Sequence, residues 1–107
     1  MKRTIDLHCN YSIALQRCIS DCSLLIEAHK DQEKKLCVEL AEKCREACAD
    51  CLDAYESVRI DRGRFMIVCS EACTDLLNEC RKHQDQYCLR CVSSCSECIE
   101  EFANWIA

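Results

Sequence analysis

The last part of the chain, from residue 88 to residue 105, reads CLRCVSSCSECIEEFANW and indicates the fold. Six of its side chains recur at intervals of three and four residues, namely Cys88, Cys91, Cys95, Cys98, Phe102 and Trp105. Residues at this spacing share one face of an α-helix, and most residues between them are polar or charged. The stretch therefore predicts an amphipathic helix whose buried face consists largely of thiols.

Three earlier segments carry the same pattern. The first stripe is His8, Tyr11, Leu15, Cys18, Cys22, Leu25 and His29. The second stripe is Cys37, Ala41, Cys44, Cys48, Cys51 and Tyr55. The third stripe is Met66, Cys69, Cys73, Leu76, Cys80 and His83. Stripes at this heptad spacing are typical of helices that pack against one another at about 20° in a bundle.

Short connections separate the four predicted helices. Lys30 and Asp31 form the first connection, with Asp31 as the N-cap of the second helix. The range 59–63 contains the single glycine and forms the second connection, while 83–84 is a tight turn before the N-cap Asp85. Because such short connections join antiparallel neighbours, the sequence predicts one all-α domain over residues 1–107. Its architecture is an antiparallel up-down-up-down four-helix bundle with a Cys-lined core.

The composition excludes several classes of protein. The chain has 107 residues, 14 of them Cys, with one Gly and no Pro. Gly-rich phosphate loops, Rossmann folds, β-sandwiches and collagen are therefore excluded. A net charge of −5 with interspersed acids and bases argues against a nucleic-acid partner. No apolar run approaches the roughly 20 residues of a membrane span, and no signal peptide opens the chain, so we expect a cytoplasmic protein without a membrane partner.

Thirteen of the fourteen cysteines fall on the four stripes, and Cys9 is the exception. Cβ atoms at positions i and i+4 lie about 5–6 Å apart, which is too far for a relaxed disulfide. Two metal–sulfur bonds of about 2.3 Å each span such a gap. The spacing therefore favours metal binding over disulfides within one helix.

Soft thiolates select Cu(I), Zn(II) or iron–sulfur clusters. Thiolates can bridge neighbouring Cu(I) ions, so a sulfur-lined core can fill as a chain of sites, with roughly one Cu(I) per one to two Cys. Two segments, 44–51 and 91–98, also match the C-x3-C-x2-C spacing of certain iron–sulfur sites. An iron–sulfur electron-transfer protein and a disulfide-stapled structural bundle remain the alternatives. No catalytic triad or acid–base pair is apparent, so we expect a binding protein and not an enzyme.

The His83-Gln-Asp-Gln-Tyr-Cys88 segment and the Cys ladder after it resemble the last helix of the bacterial four-helix-bundle copper storage proteins, the Csp family. The Cys spacings over 37–51 and 69–80 are similar to its second and third helices. The resemblance covers roughly residues 8–105 and implies a cytosolic homotetramer that stores several Cu(I) ions per chain. Helix 1 departs from it, because Leu15 and Leu25 stand where a richer member could carry Cys.

The two ends of the predicted bundle differ. One end gathers Tyr11, Leu15, Tyr55, Met66, Phe102 and Trp105; these large side chains should exclude water. The other end gathers His29, Cys37, Cys80, His83 and Cys88, with no aromatic residue to close it. His29 and His83 are either polar helix ends or auxiliary copper ligands. We expect copper to pass through this second end, and we expect His8 to lie on the surface.

Overall fold

The computed structural model describes residues 2–29 and 35–106, with side chains from residue 10 in the first range and from residue 36 in the second. The four helices are α1 Lys2–His29, α2 Lys35–Glu56, α3 Arg62–Cys80 and α4 Gln86–Ile106. Within these ranges there is no β-strand. The predicted all-α fold of four helices is therefore confirmed. The expectations for Lys30 and Asp31, and for the side chains of His8 and Cys9, fall outside the described part.

The helices form a ring in which α1 and α3 each contact both α2 and α4. Contacts join the first part of α1 to the last part of α2, where the Tyr11 hydroxyl lies 3.5 Å from Cys51 Sγ. They also join the end of α1 to the residue before α4, because His29 Nε2 lies 3.2 Å from Asp85 Oδ1. This order of pairing is compatible with the predicted up-down-up-down arrangement.

The core lies along the axis of the bundle and is built from the four stripes. All thirteen described cysteines are buried free thiols. Leu15, Leu25 and Leu76 fill space between them and are fully buried. Among the described stripe residues, only His83, Phe102 and Trp105 are partly exposed. The predicted Cys-lined core is therefore confirmed.

Asp85 caps α4 as its residue type predicts. Its Oδ1 accepts hydrogen bonds from the backbone N–H groups of Tyr87 and Cys88, both at 3.0 Å. These are the second and third residues of the helix, whose N–H groups have no partner within the helix itself. The cap fixes the start of α4 and, with it, the position of the first cysteine of the ladder.

The prediction for the second connection was wrong about glycine. Gly63 lies inside the first turn of α3, and residues 57–61 form the connection. The left-handed backbone position there is held by Val58, with φ 52°. The N–H of Val58 bonds to the carbonyl of Tyr55 at 3.2 Å, and that of Arg59 to Ala54 at 3.0 Å. This is the Schellman pattern that ends many helices, here built on a β-branched residue.

Replacing Val58 with glycine should stabilise the bundle by about 0.5–1 kcal/mol, because a left-handed backbone costs a β-branched residue more than glycine. Urea unfolding of the metal-free protein measures the change. Ile60 is a matched control, since it is fully exposed in the same connection and has no positive φ. Ile60→Gly should be neutral or destabilising; equal stabilisation by both variants would contradict the role of φ at Val58.

None of the described helices is both long and apolar enough to cross a membrane.

Candidate metal centre

The centre of the bundle holds four thiols from three helices. The sulfur atoms of Cys18, Cys44, Cys48 and Cys73 all lie within 4.8 Å of one another. Cys44 Sγ lies 3.6 Å from both Cys18 Sγ and Cys73 Sγ, and 4.0 Å from Cys48 Sγ. Each helix brings its sulfur inward because the cysteine occupies the buried stripe of that helix. The cluster therefore forms only when α1, α2 and α3 pack together.

Further thiols extend this cluster toward the aromatic end. Cys95 Sγ of α4 lies 3.8 Å from Cys18 Sγ, and Cys69 Sγ lies 3.3 Å from Cys48 Sγ. Cys51 interacts with Cys69 and lies beside the Tyr11 hydroxyl. Cys98 Sγ, buried in the same region, donates a hydrogen bond to the carbonyl oxygen of Ala14 at 3.3 Å.

Two thiols link the cluster to the opposite end. Cys22 interacts with Cys18, Cys44 and Cys91. Cys91 in turn interacts with Cys80. Cys22 and Cys91 therefore connect Cys80 electrostatically to the central cluster.

The sulfur separations fit single metal ions. Three or four thiolates around one ion, at metal–sulfur bonds of about 2.3 Å, stand roughly 3.8–4.0 Å apart. The contacts of 3.6, 3.8 and 4.0 Å around Cys18 and Cys44 are close to these values. The centre can therefore accept soft metal ions with small side-chain movements.

The C-x3-C-x2-C spacing over residues 44–51 does not form one site on one helix. Cys44 and Cys48 group with Cys18 and Cys73, which lie on neighbouring helices. Cys51, the third cysteine of the motif, lies beside Tyr11. The spacing follows from the heptad stripe, because positions 3 and 4 apart face the core.

Burial and mutual hydrogen bonding move the pKa values of these thiols in opposite directions. Burial, followed by the neighbouring Asp85 carboxylate, raises the pKa of Cys88 to about 12. Interactions with Cys22 and then Cys80 lower the pKa of Cys91 to about 5. A thiolate at Cys91 is stabilised because neighbouring S–H groups donate to it, whereas water performs that role at a surface. Cys88 therefore favours the protonated thiol, whereas the surroundings of Cys91 favour the thiolate.

The end of the bundle near His29, called the mouth below, comprises His29, Cys37, Glu79, Cys80, His83, Asp85 and Cys88. Its donor atoms form three groups, and within each group all atoms lie within 4.8 Å of one another. The groups are Cys37 with Cys80 and Cys88, His29 with Asp85 and Cys88, and Cys37 with Glu79 and His83. The structure therefore brings both predicted histidines into contact with predicted cysteines.

The expectation that no aromatic residue lies at this end was wrong. The Tyr87 ring packs edge-on against His29, with ring centroids 5.8 Å apart. The stripe analysis missed Tyr87 because it precedes Cys88 and lies off the buried stripe. Tyr87 is partly buried and helps to hold the imidazole of His29 in place.

The expected aromatic residues pack against one another at the opposite end. Tyr55 packs edge-on against both Tyr11, at 5.3 Å between centroids, and Trp105, at 5.5 Å. The guanidinium of Arg62 lies over the Trp105 ring at 5.5 Å. Met66, near the start of α3, is buried as part of the core.

Sequence reasoning missed Glu79 and treated Asp85 only as a helix cap. Both carboxylates contact the mouth histidines, Asp85 with His29 and Glu79 with His83, each at 3.2 Å. The position of Glu79 four residues before His83 was an available signal, because such residues are neighbours on a helix. No local signal joins Asp85 to His29, which lies 56 residues away.

Comparison with known proteins agrees with this arrangement of thiols. The profile of the Csp family, described as copper storage protein, matches residues 1–107, the whole chain. No curated protein and no solved structure matched the chain. A match over the full length confirms the resemblance inferred from the Cys ladder: this four-helix, cysteine-lined chain belongs to the Csp family of copper storage proteins.

Proposed function

We propose that this protein stores several Cu(I) ions per chain, held by the thiolates of its core. The observation that carries the proposal is the buried series of sulfur contacts of 3.3–4.0 Å that joins Cys18, Cys44, Cys48, Cys69, Cys73 and Cys95. A second group of thiols, Cys37, Cys80 and Cys88, lies at the mouth. A sulfur in the middle of such a series can bridge two ions, so neighbouring sites share ligands. The proposed ligands are Cys18, Cys22, Cys37, Cys44, Cys48, Cys51, Cys69, Cys73, Cys80, Cys88, Cys91, Cys95 and Cys98, with His29 and His83 as auxiliary ligands.

Cu(I) suits this core better than other soft metals. Thiolate ligands favour Cu(I), and two or three sulfurs suffice for each ion. A zinc site takes four ligands and closes after one ion, and Cys18, Cys44, Cys48 and Cys73 form the one group of four thiols found among the described residues. Two- and three-coordinate Cu(I) sites can use the other core thiols as well.

The residues of the chain act by binding and by excluding water, without turnover of a substrate. Each thiol loses a proton when it becomes a ligand, so loading releases protons. Leu15, Leu25 and Leu76 are fully buried and keep water from the bound ions. We therefore propose a storage protein and not an enzyme.

Anaerobic Cu(I) titration followed by native mass spectrometry tests this proposal. We expect a colourless protein that binds well over two ions per chain in successive steps. Saturation at one or two ions would contradict a continuous core. A brown protein that contains iron and sulfide would favour the iron–sulfur alternative, and few free thiols in the native protein would favour the disulfide-stapled one.

We further propose that copper passes through the mouth. The imidazole of His29 lies near Cys88, and that of His83 lies near Cys37. Each histidine can therefore bind an ion first and transfer it to a neighbouring thiolate. His83 is partly exposed and His29 is 7% exposed, which places the two ligands at increasing depth. Among the described side chains, no histidine is grouped with a thiol at the aromatic end.

Replacing His29 and His83 together with alanine should slow Cu(I) loading and removal by a chelator, because the first ligands on the route are lost. The final number of bound ions should change little. Stopped-flow mixing of the apo and loaded proteins with a chromophoric Cu(I) chelator measures both rates.

The matched variant is Tyr55→Ala with Trp105→Ala, which opens the aromatic end. It should add a second route and speed exchange. Unchanged rates in the histidine variant, together with faster exchange in the aromatic variant, would place the route at the other end.

The proposal extends to the cellular compartment of the protein and to its oligomeric state. Thirteen free thiols are typical of a reducing compartment, and we place the protein in the cytoplasm. We also propose a homotetramer, as the family resemblance implies. Light scattering of the purified protein measures the assembly directly.

A further inference from the structure

The mouth contains donor atoms that the core lacks. Two of its three groups combine a ring nitrogen, a carboxylate oxygen and a thiol sulfur: His29 with Asp85 and Cys88, and His83 with Glu79 and Cys37. The central cluster contains sulfur alone. The two regions therefore differ in the metal ions that they suit.

Carboxylate oxygen is a hard ligand, whereas Cu(I) is a soft ion. Zn(II) binds cysteine sulfur, histidine nitrogen and aspartate or glutamate oxygen, usually with four ligands in a tetrahedron. A group of three different donors plus one water molecule gives that number. The mixed groups at the mouth thus match a divalent ion of the zinc type.

The donor atoms are already placed for such an ion. Asp85 is held by two backbone N–H groups of α4, and its Oδ1 lies 3.2 Å from His29 Nε2. Glu79 Oε2 lies 3.2 Å from His83 Nε2, while the other oxygen of Glu79 pairs with the exposed Lys82 at 3.1 Å. Ligands in a tetrahedral zinc site stand about 3.2–3.8 Å apart, so the nitrogen–oxygen spacing already fits.

We propose that the mouth binds divalent zinc-type ions at these two groups, separately from the copper in the core. Cys37 and Cys88 belong to both a mixed group and the all-thiol group with Cys80. A divalent ion therefore occupies thiols through which Cu(I) would pass. This consequence rests on the proposed storage of copper: divalent ions at the mouth slow the exchange of stored Cu(I).

Co(II), a spectroscopic substitute for Zn(II), tests the site without copper. Titrated anaerobically into the full-length metal-free protein, it should give tetrahedral d–d bands with a sulfur-to-cobalt band weaker, per ion, than that of a four-thiolate site. Asp85→Asn with Glu79→Gln should weaken this binding by about tenfold or more. Asparagine also caps helices well, so this variant keeps the start of α4.

Asp61→Asn is the matched control, because Asp61 is the N-cap residue of α3 at the other end of the bundle. It should leave Co(II) binding unchanged. The proposal is overturned if Co(II) does not bind, or if its spectrum and affinity are the same in the wild type and the Asp85/Glu79 variant. The latter result would place the ion in the Cys18 cluster.

A second measurement separates this proposal from the storage of copper. Zn(II) added to the Cu(I)-loaded protein should slow copper removal by a Cu(I)-selective chelator clearly in the wild type and little in the Asp85/Glu79 variant. Equal slowing in both proteins would refute control at the mouth. Failure to load Cu(I), with Co(II) bound at the mouth, would instead refute the storage function alone.

Discussion

Replacing Cys91, Cys95 and Cys98 together with alanine is expected to remove several bound Cu(I) ions per chain. Cys95 lies 3.8 Å from Cys18, and Cys91 links Cys22 to Cys80. Because these sulfurs can bridge ions, their loss empties sites whose other ligands remain in place. Native mass spectrometry after anaerobic loading counts the ions that remain.

Cys51→Ala serves as the control for that variant. Cys51 lies at the end of the sulfur series, beside Tyr11, so its loss should cost at most one ion. Far-UV circular dichroism of both apo proteins should remain helical, which separates lost ligands from lost structure. Loss of a single ion from the triple variant would show that the sites are isolated and do not share sulfurs.

Alkaline pH is expected to unfold the metal-free bundle and to leave the copper-loaded bundle largely intact. The pKa of Cys88 is raised from its ordinary value of 9.0 to about 12, mainly by burial. The pKa values of Cys51 and Cys80 are also raised. The interaction with Cys69 is the main cause for Cys51, the interaction with Cys91 is the main cause for Cys80, and burial is the second cause for both. Below pH 9 these thiols are protonated in both the folded and the unfolded state, and their contribution to stability is fully present.

That contribution is lost as pH rises from 9 toward 12, because the unfolded thiols ionise first. For Cys88 alone, a change of three pKa units corresponds to at most about 4 kcal/mol, a large share of the roughly 5–15 kcal/mol of a typical domain. Coordinated thiolates have no proton to lose, so loading with Cu(I) should remove the fall in the free energy of unfolding above pH 9.

Urea unfolding at pH 7.5, 9 and 10.5, with and without Cu(I), measures this difference. The fall in the free energy of unfolding should appear only in the apo protein. If the apo protein keeps its stability through pH 10.5, the core thiols do not have the raised pKa values on which the prediction depends.

The helices and the sulfur core follow from periodicity alone. Thiols that recur every three or four residues over four segments specify four buried faces, since helical geometry places such residues on one side. The same spacing argues against disulfides within one helix, because Cβ atoms at positions i and i+4 lie too far apart for a relaxed bridge. The N-cap at Asp85 could be predicted because its hydrogen bonds reach only two and three residues along the chain.

The packing of the helices determined which sulfur atoms lie together and which nitrogen and oxygen atoms lie beside them. The cluster of Cys18, Cys44, Cys48 and Cys73 combines three helices, and its membership depends on their relative rotation and height, which no single stripe contains. Val58 takes the left-handed position because the end of α2 is fixed by packing of the helix and not by the nearest glycine. Asp85 meets His29 across 56 residues only when α1 and α4 align their ends, and that alignment creates the mixed donors of the mouth.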